Sequence, residues 1–299
     1  AVACSKQLLD WIEKNPFLMG PNWVCPMDVG IRAINLVWAF FLFSRAPEFR
    51  DVIARIPALI YDHLLFLENN WEVYDGRTSN HYLSDLIGYL YCCYFFAESD
   101  VARAKFEWCR AEIISEMGKQ VFQEGSNYEG STRYHVLVTE LFYHAELIAR
   151  YAGRPMPEEF LRKLDHMFEF IAWCISEGGR LVTIGDNDSG KVVCGITPEL
   201  VALRVNKQQL GKKEYLEFGI SILKSNDWHI AVRQHAYRSK QPSGHFHNDV
   251  GSVTLAYRGR ALFVDPGSYL YTPSAIWRNY CAWPYYRYCH AYQRNTCWH

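Results

Sequence analysis

The chain reads as an α+β protein, with helical hairpins to about residue 205 and antiparallel strands from about residue 228. Three observations predict this. Apolar residues recur at spacings of three and four through the first two thirds. Long helical patterns pair across short links, and the pairs repeat about every 50 residues. After about residue 225 the pattern switches to alternation, the period of a strand. The expected organisation is a helical domain over 1–225 and a strand domain over 226–299.

In chain order, Ser5 is expected to cap a short helix carrying Leu8, Leu9, Trp11 and Ile12. The next helix runs from about 27 to 44, with Val29, Ala33, Leu36, Val37 and Phe40 on one stripe, and a third from about 49 to 67. Further helices are predicted near 81–97, 101–122, 132–152 and 157–177. The links Arg45-Ala46-Pro47, Glu98-Ser99-Asp100 and Gly153-Arg154-Pro155 are short, which makes the flanking helices antiparallel neighbours. Such an array is either an open solenoid or a closed α/α toroid. Beyond it, Trp228 to His235 alternates, and so does Val250 to Tyr257. Arg258-Gly259-Arg260 then leads into Ala261-Leu262-Phe263-Val264, which reads as a hairpin with a short glycine turn. Only about four strands fit before His299. A sheet that small has open edges, so the strand domain is expected to be cut short at the C-terminus.

Composition narrows the function classes. The 299 residues carry a net charge of -1, so a basic nucleic-acid footprint is absent. The most apolar run, Ala33 to Phe43, is too short to span a bilayer, and no membrane insertion is expected. Aromatic residues make up 16%, including 20 Tyr and 10 Trp, which suits stacking on sugar rings as well as filling a helical core. The ten cysteines form no paired Cys-x-x-Cys sets, so a zinc ribbon is not expected. Ala1 opens the chain without Met, which would fit a removed or omitted leader.

The stretch richest in chemistry is Ser243-Gly244-His245-Phe246-His247-Asn248-Asp249, followed by Val264-Asp265-Pro266-Gly267. Two histidines one residue apart on an extended segment face the same way. An acidic residue on the next strand can meet them. Such a cluster moves protons or holds a metal; the plainer alternative is a set of hydrogen-bonded structural histidines.

Several motifs, in this order and spacing, resemble the heparinase II/III-like polysaccharide lyases. They are Pro21-Asn22-Trp23 with Met27-Asp28-Val29 and Ile31 to Asn35; Asn80-His81-Tyr82-Leu83; Glu124 to Glu129 with Ser131 and Tyr134-His135; Gly185 to Gly190; Gly244 to Asp249; and Asp265-Pro266-Gly267. The likeness covers about residues 20–280. It implies an N-terminal incomplete α/α toroid followed by an antiparallel β-sandwich, and cleavage of a uronic-acid-containing glycan by β-elimination. That reaction needs a group to neutralise the substrate carboxylate, a base for the proton beside it and an acid for the leaving oxygen.

By the resemblance, Asn80 would neutralise the carboxylate, Tyr134 would be the acid and also a candidate base, and His245 the second proton-transfer residue. The alternatives are a helix N-cap for Asn80 and simple packing beneath a Ser131 cap for Tyr134. His81, Glu129 and Arg278 are substrate-binding candidates. His247 and Asp265 match positions that hold a structural zinc in some members, and a plain His–Asp hydrogen bond is the alternative. A further histidine ligand of that family is replaced here by Arg294, with His290 nearby. The implied partner is an acidic polysaccharide, and a polymer substrate places the protein in the periplasm or outside the cell. Two other readings are an α/α-scaffold glycoside hydrolase using Glu129 and Asp188, and an inactive glycan-binding protein.

Overall fold

The structure, a computed structural model, describes residues 2–187, 189–205, 208–236, 245–268, 274 and 276. Seven longer helices come first: α1 (Val2–Lys14), α2 (Pro26–Phe43), α3 (Arg50–Asn69), α4 (Asn80–Phe95), α5 (Asp100–Gln120), α6 (Thr132–Tyr151) and α7 (Glu158–Cys174). A short α8 (Pro198–Val205) leads into five strands: β1 (Gly211–Tyr215), β2 (Ile220–Lys224), β3 (Trp228–Arg233), β4 (Val253–Tyr257) and β5 (Arg260–Phe263). The chain sorts into two compact units. One holds residues 1–119, 140–160 and 191–194, and the other the remainder.

In the first unit α2 and α3 pair across the short Arg45-Ala46-Pro47 link, as expected. α4 is buried on almost every side, including Leu83, Leu86, Ile87, Leu90, Cys92 and Cys93. It can be so because α2 lies against it at very short range. A methyl added to Gly30 would sit 2.5 Å from the Ser84 carbonyl oxygen, and one added to Gly88 would collide with the Gly30 backbone. The two glycines thus form the crossing point. α2 has 18 residues and is long and apolar enough to cross a membrane, more than the Ala33–Phe43 run suggested. Here its Val29, Ala33, Ile34, Leu36 and Val37 are core residues.

Ser5 is not a cap: α1 already begins at Val2, and Ser5 is buried within it. Ser79, not Asn80, caps α4, accepting the His81 N–H at 3.3 Å, and Asn80 is the first helical residue. Side-chain caps require a residue with extended backbone, which Ser79 has.

In the second unit the sheet is a simple antiparallel meander in the order β1-β2-β3-β4-β5. Its central pairings put Ile222 opposite Ala231 and Ile230 opposite Leu255. Arg258 and Gly259, both with positive φ, make the β4–β5 turn expected from the sequence. One face carries Tyr215, Phe218, Ile220, Ile222 and Ala231 onto Phe170, Trp173, Cys174, Val182 and Ile184. The sheet starts earlier than about residue 228. β1, Gly-Lys-Lys-Glu-Tyr, buries only its last residue, so it carries no alternation to read. Lysines on an edge strand also discourage pairing with another chain.

His63, His135, His144 and His229 are buried. Burial pushes His63 down to about 3, helped by the Arg32 guanidinium, and pushes His135 and His144 to about 4; His229 is lowered as well. Burial pushes the Asp85 carboxyl up to about 8. The histidines must be neutral in the fold but gain protons when unfolded below about pH 6.5, so their contribution is lost as pH falls from there toward 4. Asp85 acts oppositely: its contribution is full below about pH 4 and is lost as pH rises toward 8. Urea unfolding of metal-free protein should therefore show greatest stability near pH 6.5, with the steeper loss on the acid side. A midpoint unchanged between pH 4.5 and 6.5 would contradict this. Gly88→Ala should lower stability by about 1–3 kcal/mol by overpacking the α2–α4 crossing, read by the same unfolding curves.

Candidate active site

A buried carboxylate organises the second unit. Asp186 follows Gly185, whose φ is +73° and whose missing side chain leaves room for the chain at His245: an added methyl would be 2.5 Å from the His245 carbonyl oxygen. That close approach lets the Asp186 N–H donate to the same carbonyl at 3.0 Å. The Asp186 side chain then faces both histidines. His245 Nδ1 lies 3.1 Å from Oδ2, and His247 Nε2 lies 3.1 Å from Oδ1. Ser268 Oγ adds a third donor to Oδ1 at 3.3 Å and accepts the Asn187 N–H.

The same residue anchors the start of α6. Ser131 Oγ donates to the Asp186 carbonyl at 2.6 Å and accepts from the backbone N–H groups of Arg133 and Tyr134, both at 3.2 Å. The cap therefore fixes Tyr134 in the first turn of the helix. Its ring stacks on the His245 imidazole, with centroids 3.6 Å apart and planes 15° from parallel. His245 Nε2 lies 3.8 Å from Glu129 Oε2. The imidazole thus has one nitrogen on Asp186, the other toward Glu129 and its face on Tyr134. Donation from Nδ1–H to Asp186 leaves Nε2 as the nitrogen for proton exchange.

The loop that carries these histidines is held from the sheet. Arg233 donates to Asp249 Oδ1 at 3.2 Å and to the Phe218 and Gly219 carbonyls, and its guanidinium lies over the Phe246 ring. Within α6, His135 accepts the Asn127 N–H on Nδ1 and donates from Nε2 to the Met167 carbonyl. Asn127 Oδ1 in turn accepts the Glu129 N–H at 3.0 Å, which positions Glu129.

Of the residues singled out in the sequence, Tyr134, His245, Glu129 and His247 meet in this cluster. Asn80 and His81 lie in the other unit. Asn80 is buried in the first turn of α4, and His81 pairs with Glu72. Arg278, Asp188, His290 and Arg294 lie outside the described residues. His247 and Asp265 are not on adjacent strands: His247 precedes β4 and Asp265 follows β5. The carboxylate that meets the two histidines is Asp186, with Asp265 Oδ1 accepting the Gly267 N–H at 2.8 Å. In the sequence, Asp186 stands only within the Gly185 to Gly190 motif, with no role assigned to it. The one local signal was its position directly after a glycine.

The His247 ring fits a metal ligand. Its Nε2 faces a carboxylate, and its Nδ1 is buried with no hydrogen-bond partner among the described residues. A ligating histidine backed by a carboxylate has this arrangement. Removing the Asp186 charge would leave three donors without their acceptor. Asp186→Ala should cost at least about 1–3 kcal/mol of stability, measured by denaturant unfolding, and Asp186→Asn should cost less than Asp186→Ala. Equal, negligible effects would mean that the carboxylate does not organise the cluster.

Comparison with known proteins gives a consistent result. The Heparinase II/III N-terminus family matches residues 2–176, and the Heparinase II/III-like, C-terminal family matches residues 207–282. The heparin-sulfate lyase of Bacteroides stercoris is 24% identical over 316 aligned positions, covering 91% of this chain and 46% of that protein. The crystal structure of heparinase III aligns with a TM-score of 0.72 at 16% identity, over 94% of this chain and 49% of that one. The heparan sulfate lyase HepC from Pedobacter heparinus aligns at 0.61 and 18%, over 94% and 48%. The chain spans about half the length of these relatives. Their fold is the one that the helical hairpins and the following antiparallel sheet were expected to form.

Proposed function

The chain belongs to the heparinase II/III family, and on that premise we propose that it takes part in cleaving a uronic-acid glycan by β-elimination. The observation that carries this reading is the Tyr134–His245 stack, with Asp186 on one imidazole nitrogen and Glu129 toward the other. It sets a phenol beside an imidazole, the two kinds of group that acid–base chemistry on one sugar calls for.

In this reading a base removes the proton beside the carboxylate, electrons move to form the double bond, and the neighbouring glycosidic oxygen leaves with a proton from the acid. Tyr134 supplies the acid and is a candidate for the base, and His245 takes the second transfer. Asp186 holds the imidazole in one tautomer. Asn80 neutralises the substrate carboxylate and so makes the adjacent proton more acidic; its support is the motif Asn80-His81-Tyr82-Leu83. Glu129, His81 and Arg278 contact substrate. The names of the relatives, heparin-sulfate lyase and heparan sulfate lyase, favour a sulfated glycosaminoglycan among the uronic-acid polymers. A polymeric substrate favours a periplasmic or secreted protein.

Zinc is a further part of the proposal. His247 and Asp265 would hold it, and it would supply a structural tie between the segments before β4 and after β5. Elemental analysis of purified protein should then find zinc, and His247→Ala should reduce the zinc held.

The mechanistic test is Tyr134→Phe. The ring stays to pack on His245, so folding should survive at a cost of no more than about 1 kcal/mol. Formation of the ultraviolet-absorbing unsaturated product should fall by about 10²–10⁴-fold. A folded variant that still makes the product at close to the wild-type rate would remove Tyr134 from the mechanism.

A further inference from the structure

A second cluster lies wholly within the first unit. Cys25, just before α2, Glu72, in the link between α3 and α4, and His81, in the first turn of α4, bring one sulfur, one carboxylate oxygen and one ring nitrogen within 4.8 Å of one another. His81 Nδ1 is 3.0 and 3.1 Å from the two Glu72 oxygens. The Cys25 thiol is free. Glu72 is held in place from both ends: Oε2 accepts the Met27 N–H at 3.0 Å, and its own N–H donates to Asp85 Oδ2 at 2.9 Å.

Asp85 supplies an independent observation. It is fully buried, and its Oδ1 has no hydrogen-bond partner among the described residues. A buried carboxylate oxygen left without a donor is costly. Here it belongs to the group that hydrogen-bonds Glu72, so one small volume collects two buried carboxylates and a thiol against a single histidine. A His–Glu ion pair alone explains neither the thiol nor the second carboxylate. The sulfur, the carboxylate oxygen and the ring nitrogen converge as the donors around a bound cation do.

We propose that Cys25, Glu72 and His81 form a binding site for a thiophilic divalent metal ion, zinc being the best match, with Asp85 backing the site. The donor types decide the class of metal. A thiolate and an imidazole select zinc-like ions over calcium or magnesium, which take all-oxygen sets. Three protein donors leave a fourth position for water. The ion would join the segment before α2 to the α3–α4 link and fix the first turn of α4, where Asn80 stands. This site shares no residue with the His247–Asp265 pair.

Cobalt(II) reports on the site directly, because only a thiolate ligand gives an intense sulfur-to-cobalt charge-transfer band. Full-length chain stripped with chelator should develop that band, saturating at one equivalent of cobalt. Cys25→Ser, a one-atom change, and His81→Ala should abolish it, while His247→Ala should leave it intact. Equilibrium dialysis with zinc alone should find one ion fewer on Cys25→Ser than on the parent, in both the wild-type and the His247→Ala background. Circular dichroism of the metal-free proteins checks that each variant is folded. Should His81→Ala fail that check, Glu72→Gln takes its place, with an expected weakening of cobalt binding. No charge-transfer band in the wild type, or a band and zinc count that survive Cys25→Ser, would overturn the proposal.

Discussion

The cluster of His245, His247 and Ser268 in the second unit is hung on one buried carboxylate. Asp186 receives donors from His245, His247 and Ser268, and its backbone is tied to Ser131 and to His245. Such a network is worthwhile only when fully satisfied, because each member left unpaired in a low-dielectric interior is penalised. The cap of α6, the loop before β4 and the segment after β5 therefore share one registration point. A displacement of any one of them would be opposed by the other two.

The first unit uses a different device for a similar end. There, a glycine crossing brings α2 against α4, and almost the whole of α4 becomes core. Helix–helix contact this close is set by backbone shape rather than by polar pairing. It leaves α4 with little freedom to rotate, and so gives the residues of its first turn, Asn80 and His81, a firm base. Polar side chains at that end are then positioned by a helix that packing alone has fixed.

Much of this was legible before the structure. The helices from α2 to α7 followed directly from apolar spacing and short links, because an amphipathic helix must place its core residues at three and four. Ser131 was readable as a cap, and the alternation of His245 and His247 correctly implied that both face one way. β1 was not readable, since a charged edge strand buries almost nothing. The N-cap alternative for Asn80 fell one residue away: Ser79 and Asn80 are both good capping residues, and backbone geometry gives the cap to Ser79. Asp186 was hidden for another reason. Its importance comes from contacts about 55 to 80 residues away along the chain, and no local pattern encodes these.

The stacked rings of Tyr134 and His245 imply a division of labour within one side chain. The phenyl part of Tyr134 is the floor on which the imidazole rests; only its hydroxyl can exchange a proton. These two duties are separable in evolution. On the proposed mechanism, a lineage released from the need to cleave a polymer could discard the oxygen while keeping the ring, and the remaining architecture would persist as a lectin. Among related chains, the identity of the atom at the tip of residue 134 would then sort cutters from holders, even where every other residue of the cluster was the same.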